Sequence, residues 1–170
     1  MTMNESWGFC PLDTNYKSAI DLIHGACETA ARGGNLLLNV SPGPDGALAP
    51  QQVERLEAMA RWIAANGEGI IATRPGLEPW QFYGASTRRE STVFLHSLAR
   101  PYEAVTVRGV KVRRVRAVRH LPSGEALEFT ARTSIMDQMF GSDPLGELRI
   151  AVPERLIDPA ATTIAIDFEE

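Results

Sequence analysis

The stretch Gly33-Gly34-Asn35-Leu36-Leu37-Leu38-Asn39-Val40, with the loop that follows it, limits what this chain can fold into more than any other feature. The paired glycines stop a helix, and the three leucines lack the in-and-out alternation of a half-buried strand. Such a run predicts a strand covered on both faces, as in a parallel sheet flanked by helices. Asn39 ends the run, where a polar side chain can point into a pocket at the C-terminal edge of a sheet. Pro42, Gly43, Pro44, Asp45 and Gly46 then force a tight, stiff loop.

The segments on either side have helical period. Tyr16, Ile20, Ile23, Cys27 and Ala30 recur at helical spacing across residues 15–32, with Asp13, Thr14 and Asn15 as candidate caps and Gly33 at the C′ position. Cys27 falls on the apolar face as a core thiol, and His24 lies beside it as a packed residue. A second helix starts at Pro50, buries Val53, Leu56, Ala60 and Ile63 with Met59 and Trp62 flanking, and ends at Asn66-Gly67. Residues 1–13 read as the end of a strand and a loop, so the first part of the chain holds two β/α units. In that loop Trp7 and Phe9 suit the wall of a ligand pocket, and Glu5 is a candidate acid or base.

After Thr73-Arg74-Pro75-Gly76 the period changes to two, which places a domain boundary between 1–75 and 76–170. Strands are predicted at 81–85, 91–98, 104–112, 115–121, 126–132, 147–152 and 162–168, with residues 133–146 as an irregular loop. The inward sets are Leu127, Phe129 and Ala131; Leu148, Ile150 and Val152; and Ile164, Ile166 and Phe168. Strands this short and this closely spaced predict a small antiparallel β-sandwich. The fold class is α/β plus all-β.

Other chemistries find little support. Cys10 and Cys27 make no disulfide framework and share no ligand spacing with His24, His96 or His120, so neither a metal nor a cofactor is expected. The net charge of −4 gives no general attraction to nucleic acid or to an anionic membrane. Arg108, Lys111, Arg113, Arg114, Arg116 and Arg119 alternate with valines, the pattern of a solvated strand face with a bulge near Arg113 rather than a nucleic-acid site. No apolar run reaches the length of a bilayer span, and the first residues lack the pattern of a signal peptide, which leaves the compartment open.

Ser6-Trp7-Gly8-Phe9, then Gly33-Gly34-Asn35-Leu36-Leu37-Leu38-Asn39 with Pro42 and Asp45-Gly46, then Asn66-Gly67-Glu68 and Thr73-Arg74-Pro75, occur in that order. The set resembles the C-terminal part of the retaining α-L-fucosidases that join a (β/α)₈ barrel to a C-terminal β-sandwich. Ser41 and Gly69-Ile70-Ile71 depart from the usual pattern, at positions that carry no catalytic group. The resemblance implies that residues 1–75 are the last two units of a TIM barrel and that the parent hydrolyses terminal α-L-fucose from glycans. It also implies that the nucleophilic Asp and the acid/base Glu lie upstream of Met1. Trp7, Phe9 and Asn39 are then substrate-binding residues, with Glu5 a remote substitute for the acid. A fragment inactive by itself is expected, completed by upstream sequence or by a separate chain. The alternative is a non-catalytic carbohydrate-binding module built on the sandwich.

Overall fold

Serines set the starts of two of the helices in this structure. Ser18 caps α1 (Ala19–Ala31), its hydroxyl accepting the Asp21 N–H while the Asp21 carboxylate accepts the Ser18 N–H. This reciprocal box displaces the start expected at Asp13, Thr14 or Asn15. The computed structural model describes residues 1–141 and 143–169. Helix α2 (Pro50–Asn66) opens on Pro50 at its first turn and runs through the Asn66-Gly67 stop into a 3₁₀ turn at Gly67–Gly69.

The strands are β1 (Arg74–Pro75), β2 (Ala85–Arg89), β3 (Thr92–Ser97), β4 (Ala104–Lys111), β5 (Val115–His120), β6 (Phe129–Arg132), β7 (Leu145–Ala151) and β8 (Thr162–Phe168). They form a five-stranded sheet in the order β1-β2-β3-β8-β5 and a three-stranded sheet in the order β4-β7-β6, and every pairing is antiparallel. Leu95, Val118, Ile164 and Ile166 of one sheet pack with Val105, Val107, Leu148 and Ile150 of the other in one buried cluster. That is a small β-sandwich. The inward sets expected for β7 and β8 are correct. In β6 the phase is correct, since Phe129 and Ala131 lie opposite Ile150 and Leu148, but the strand is an exposed edge. Only Leu127, which pairs with Val118 of the other sheet, is deeply buried in that set.

Three other expectations are corrected. The strand expected at 81–85 begins only at Ala85, because Gln81 is spent on the Glu78 N–H and on the Arg108 and Gly109 carbonyls while Phe82 plugs the core. Residues 133–146 are not irregular throughout: a short helix, α3 (Ile135–Phe140), starts at Ser134, whose hydroxyl accepts the Asp137 N–H. Helix α2 buries Gln52, Met59, Trp62 and Asn66, while Val53 and Ala60 are exposed. Its inner face is rotated because the two amides, both polar, complete it.

The helices cover the outer face of the five-stranded sheet. Met59, Trp62, Leu22, Ile23 and Cys27 pack with Ala85 and Ala161 in a second cluster, and the Trp62 indole N–H donates to the Ala161 carbonyl at 3.0 Å. Burial pushes the Cys27 thiol up to about 12, as befits a core residue. His24 reaches the Ala160 carbonyl at 2.7 Å. At the end of α2, the Gly69 carbonyl accepts from Thr87 Oγ1 and lies 3.1 Å from His96 Nε2, while His96 Nδ1 lies 3.3 Å from Thr163 Oγ1.

His96 is fully buried, and desolvation lowers its pKa from 6.5 to about 4, against the Gly69 hydrogen bond. The unfolded chain takes up this proton below pH 6.5 and the folded one only near pH 4. The neutral ring therefore costs nothing above pH 6.5, and stability is lost progressively as the pH falls to about 4, by up to about 3 kcal/mol. Chemical denaturation at a series of pH values should show this loss, and His96→Gln should flatten the slope in that window.

Candidate functional site

The Thr2–Asn39 pair brings the two halves of the candidate site together. Residues 1–4 and 36–40 run parallel there, with Met1 N–H₃⁺ donating to Leu37 O, Asn39 N–H to Met1 O at 2.9 Å and Met3 N–H to Asn39 O at 3.2 Å. The segment 36–40 is not the strand buried on both faces that the leucines predicted. Leu36 and Leu38 are half-buried but Leu37 is 78% exposed, because nothing among the described residues packs on that side. Both parallel segments end on the same side, and the loops 5–17 and 41–49 leave from there.

Gly33 makes this geometry possible. It follows α1 at φ 74°, where a side chain is strained, and a Cβ would stand 3.3 Å from the Pro75 ring. The loop 41–49 is fixed from below by Gln52, whose amide spans the buried Ser41: Gln52 Oε1 accepts the Ser41 N–H, and Nε2 approaches Ser41 O and Oγ. Within the loop, Asp45 Oδ1 accepts the Ala47 N–H at 3.1 Å.

Three of the four residues read from the sequence meet here. Asn39 Nδ2 donates to the Trp7 carbonyl at 2.8 Å, which leaves its Oδ1 for another donor. The Trp7 ring is 78% exposed, and the Phe9 ring, also exposed, lies against Gly43. These groups offer an apolar face and a hydrogen-bond acceptor. Glu5 is on the same loop but is engaged elsewhere: Oε1 accepts from Asn15 Nδ2 at 2.8 Å. Asp13 accepts the Glu5 and Ser6 N–H groups at 3.0 and 2.7 Å. Desolvation raises its pKa, but hydrogen bonds from Ser6, Asn15 and Glu5 outweigh it and hold the carboxyl below its usual range. The carboxylates Glu5, Asp13 and Asp45 thus each hold a loop.

One residue at this end was missed. Asn4 is buried at the end of the first parallel segment, and its Oδ1 has no partner. Beside it lies a recess of about 530 Å³ lined by Phe9, Tyr16, Ser41 and Gln52. The signal was present: a polar residue two positions after Thr2, on the segment that pairs with Asn39. Among the described residues no group of three His, Cys, Asp or Glu could hold a metal.

The family model that matches is Alpha-L-fucosidase, over residues 1–68. An α-L-fucosidase of Branchiostoma floridae is 42% identical over 78 residues, covering 44% of this chain and 17% of the relative. Isoenzyme 1 of the Paenibacillus thiaminolyticus α-L-fucosidase superposes on the whole chain with a TM-score of 0.82 at 25% identity, using 39% of its own length. The Thermotoga maritima α-fucosidase, solved in complex with fucose, superposes on 98% of the chain with a TM-score of 0.77 at 25% identity, using 38% of its length. The chain matches the C-terminal portion of an α-L-fucosidase. It spans about a sixth of the first curated relative and about two-fifths of the solved ones. The family model ends near the close of α2, whereas the structural match continues through the sandwich.

Because Gly33 carries both a positive φ and a close neighbour, Gly33→Ala should destabilise the chain by about 1–2 kcal/mol, a fall of roughly 3–8 °C in Tm by calorimetry. An unchanged Tm would mean that the junction between α1 and residues 36–40 is free to relax.

Proposed function

We propose that this chain is the C-terminal part of a retaining α-L-fucosidase, acting on fucosylated glycans, with residues 1–75 as the last two units of its TIM barrel and residues 76–170 as its sandwich domain. The observation that carries the reading is the parallel Thr2–Asn39 pair, which sets Trp7, Phe9 and Asn39 at one strand-end mouth. In a (β/α)₈ barrel the substrate enters at that end of the strands. Trp7 presents a flat apolar face for the C–H side of a sugar, and Asn39 Oδ1 accepts from a sugar hydroxyl.

Retention needs two carboxyl groups about 5–5.5 Å apart, one as nucleophile and one as acid/base. Glu5, Asp13 and Asp45 are each committed to local hydrogen bonds, so the catalytic pair comes from polypeptide outside these residues, upstream or on a separate chain. By itself the chain binds at most the periphery of a sugar and turns nothing over.

The purified chain should show no release of aryl alcohol from an aryl α-L-fucoside above the blank. Turnover lost on Glu5→Gln would overturn this reading. In a titration of labelled chain with L-fucose, the Trp7 indole N–H should shift, and Trp7→Ala should weaken binding by roughly tenfold or more. Shifts confined to residues 76–170 would instead favour a carbohydrate-binding sandwich.

A further inference from the structure

A recess of about 460 Å³ opens where the edge strand β1 meets the turn between β2 and β3. It is lined by Ala72, Arg74, Arg88, Arg89 and Glu90, none of which belongs to the strand-end mouth. Three arginines against one carboxylate make a local excess of positive charge, in a chain whose net charge is −4.

The strand register sets two of these arginines against each other. Arg74 of β1 pairs directly with Arg88 of β2, so both side chains leave the same face of the sheet, with Cβ atoms about 4.5–5.5 Å apart. Like charges in that position repel. Both residues are exposed, and among the described residues neither side chain has a hydrogen-bond or ion-pair partner. Arg89 alternates to the other face, where its guanidinium lies 3.4 Å from Glu68 and 6.0 Å from the centre of the Phe94 ring. Glu68 also holds Arg119 at 3.2 Å, so that carboxylate is already shared by two arginines. Glu90 is exposed and pairs with neither Arg74 nor Arg88.

The backbone beside the pair is strained as well. Ala72, two residues before Arg74, has φ 56°, and Glu90, two residues after Arg88, has φ 52°. Both lie in the left-handed region that favours glycine. A repelling pair bordered by two strained residues is an arrangement that folding alone does not favour. An anion between the two guanidiniums replaces the repulsion with two attractions. Each guanidinium offers a planar fork of N–H donors that matches the oxygens of a sulfate or phosphate.

We propose that this recess binds a tetrahedral oxyanion, a sulfate or phosphate group, between Arg74 and Arg88, with the Glu90 carboxylate opposing it. The proposal does not depend on the reading of the strand-end mouth. Inorganic sulfate, a sulfate monoester of glucose, and glucose itself are titrated separately into the labelled full chain, with sodium chloride holding the ionic strength constant. The Arg74 and Arg88 Nε–H signals and the Ala72 and Glu90 backbone amides are followed. Both sulfates should shift these signals saturably, and glucose should not. Tighter binding of the ester assigns a sugar sulfate as the occupant; otherwise the free anion is assigned. Arg88→Gln removes the repulsion together with one fork. It should raise the Tm of the anion-free chain at low ionic strength by roughly 1–2 °C, and weaken sulfate binding about tenfold or more. Glu90→Gln should tighten sulfate binding about threefold. Signals that stay still against the chloride background, that follow glucose as strongly as its ester, or that move equally in Arg88→Gln would overturn the site.

Discussion

The burial of β8 on both faces is the constraint on which the rest depends. Residues 162–166 are all buried, yet only Ile164 and Ile166 belong to the sandwich core. Thr163 and Ala165 face outward, where a two-sheet sandwich alone would expose them. They are covered because α1, α2 and the Gly67–Gly69 turn lie on that side, with Trp62 bonded to Ala161 and His96 set between Gly69 and Thr163. The helical half and the sandwich therefore share one interior, although the sequence period changes sharply between them. The neutral His96 suits this seam, since it satisfies two polar neighbours without a charge to desolvate.

The candidate mouth rests on a weaker foundation. One parallel bridge, three backbone hydrogen bonds and the Gln52–Ser41 amide contacts hold residues 1–4, 36–40 and the loop at 41 in place. The loops above take their shape from carboxylates acting as local acceptors. This explains a distinction that composition alone obscures. Glu5, Asp13 and Asp45 lie in the loops that leave the parallel segments, yet each is used as structural glue, while the uncommitted groups are an aromatic face and an amide oxygen.

Much of this was legible in the sequence, and the failures share a cause. Period two gave the sandwich and the phases of β7 and β8, because those strands alternate cleanly between Leu or Ile and polar residues. Period 3.6 gave both helices. It misplaced the inner face of α2, because Gln52 and Asn66 are polar residues buried by specific hydrogen bonds, and a hydrophobicity pattern assigns such residues outward. It misplaced the start of α1 and missed α3 for the same reason in each case: Ser18 with Asp21 and Ser134 with Asp137 form caps with Asp in place of the more familiar Glu. The three leucines raised a different problem. Their pattern describes a strand in a complete sheet, and Leu37 stands exposed. At the mouth, Trp7, Phe9 and Asn39 were named from residue type and position, whereas Asn4 became visible only through its burial.

The total surface bears on that exposed leucine. A compact chain of 18.6 kDa exposes about 8,200 Å². This one exposes 9955 Å². The excess, roughly 1,700 Å², falls within what one partner contributes to an obligate interface of about 2,000–5,000 Å² in total. Among the described residues, Trp7, Leu12 and Leu37 are among the most exposed large apolar side chains, and they sit on the parallel segments and the loops that leave them. The sandwich half exposes large apolar side chains as well, Tyr102 and Ile135 among them. A strand with an apolar run and an uncovered face is an association site unless something packs on it. The same leucines that made the sequence read as part of a larger parallel sheet therefore leave the folded chain with Leu37 uncovered beside the parallel pair.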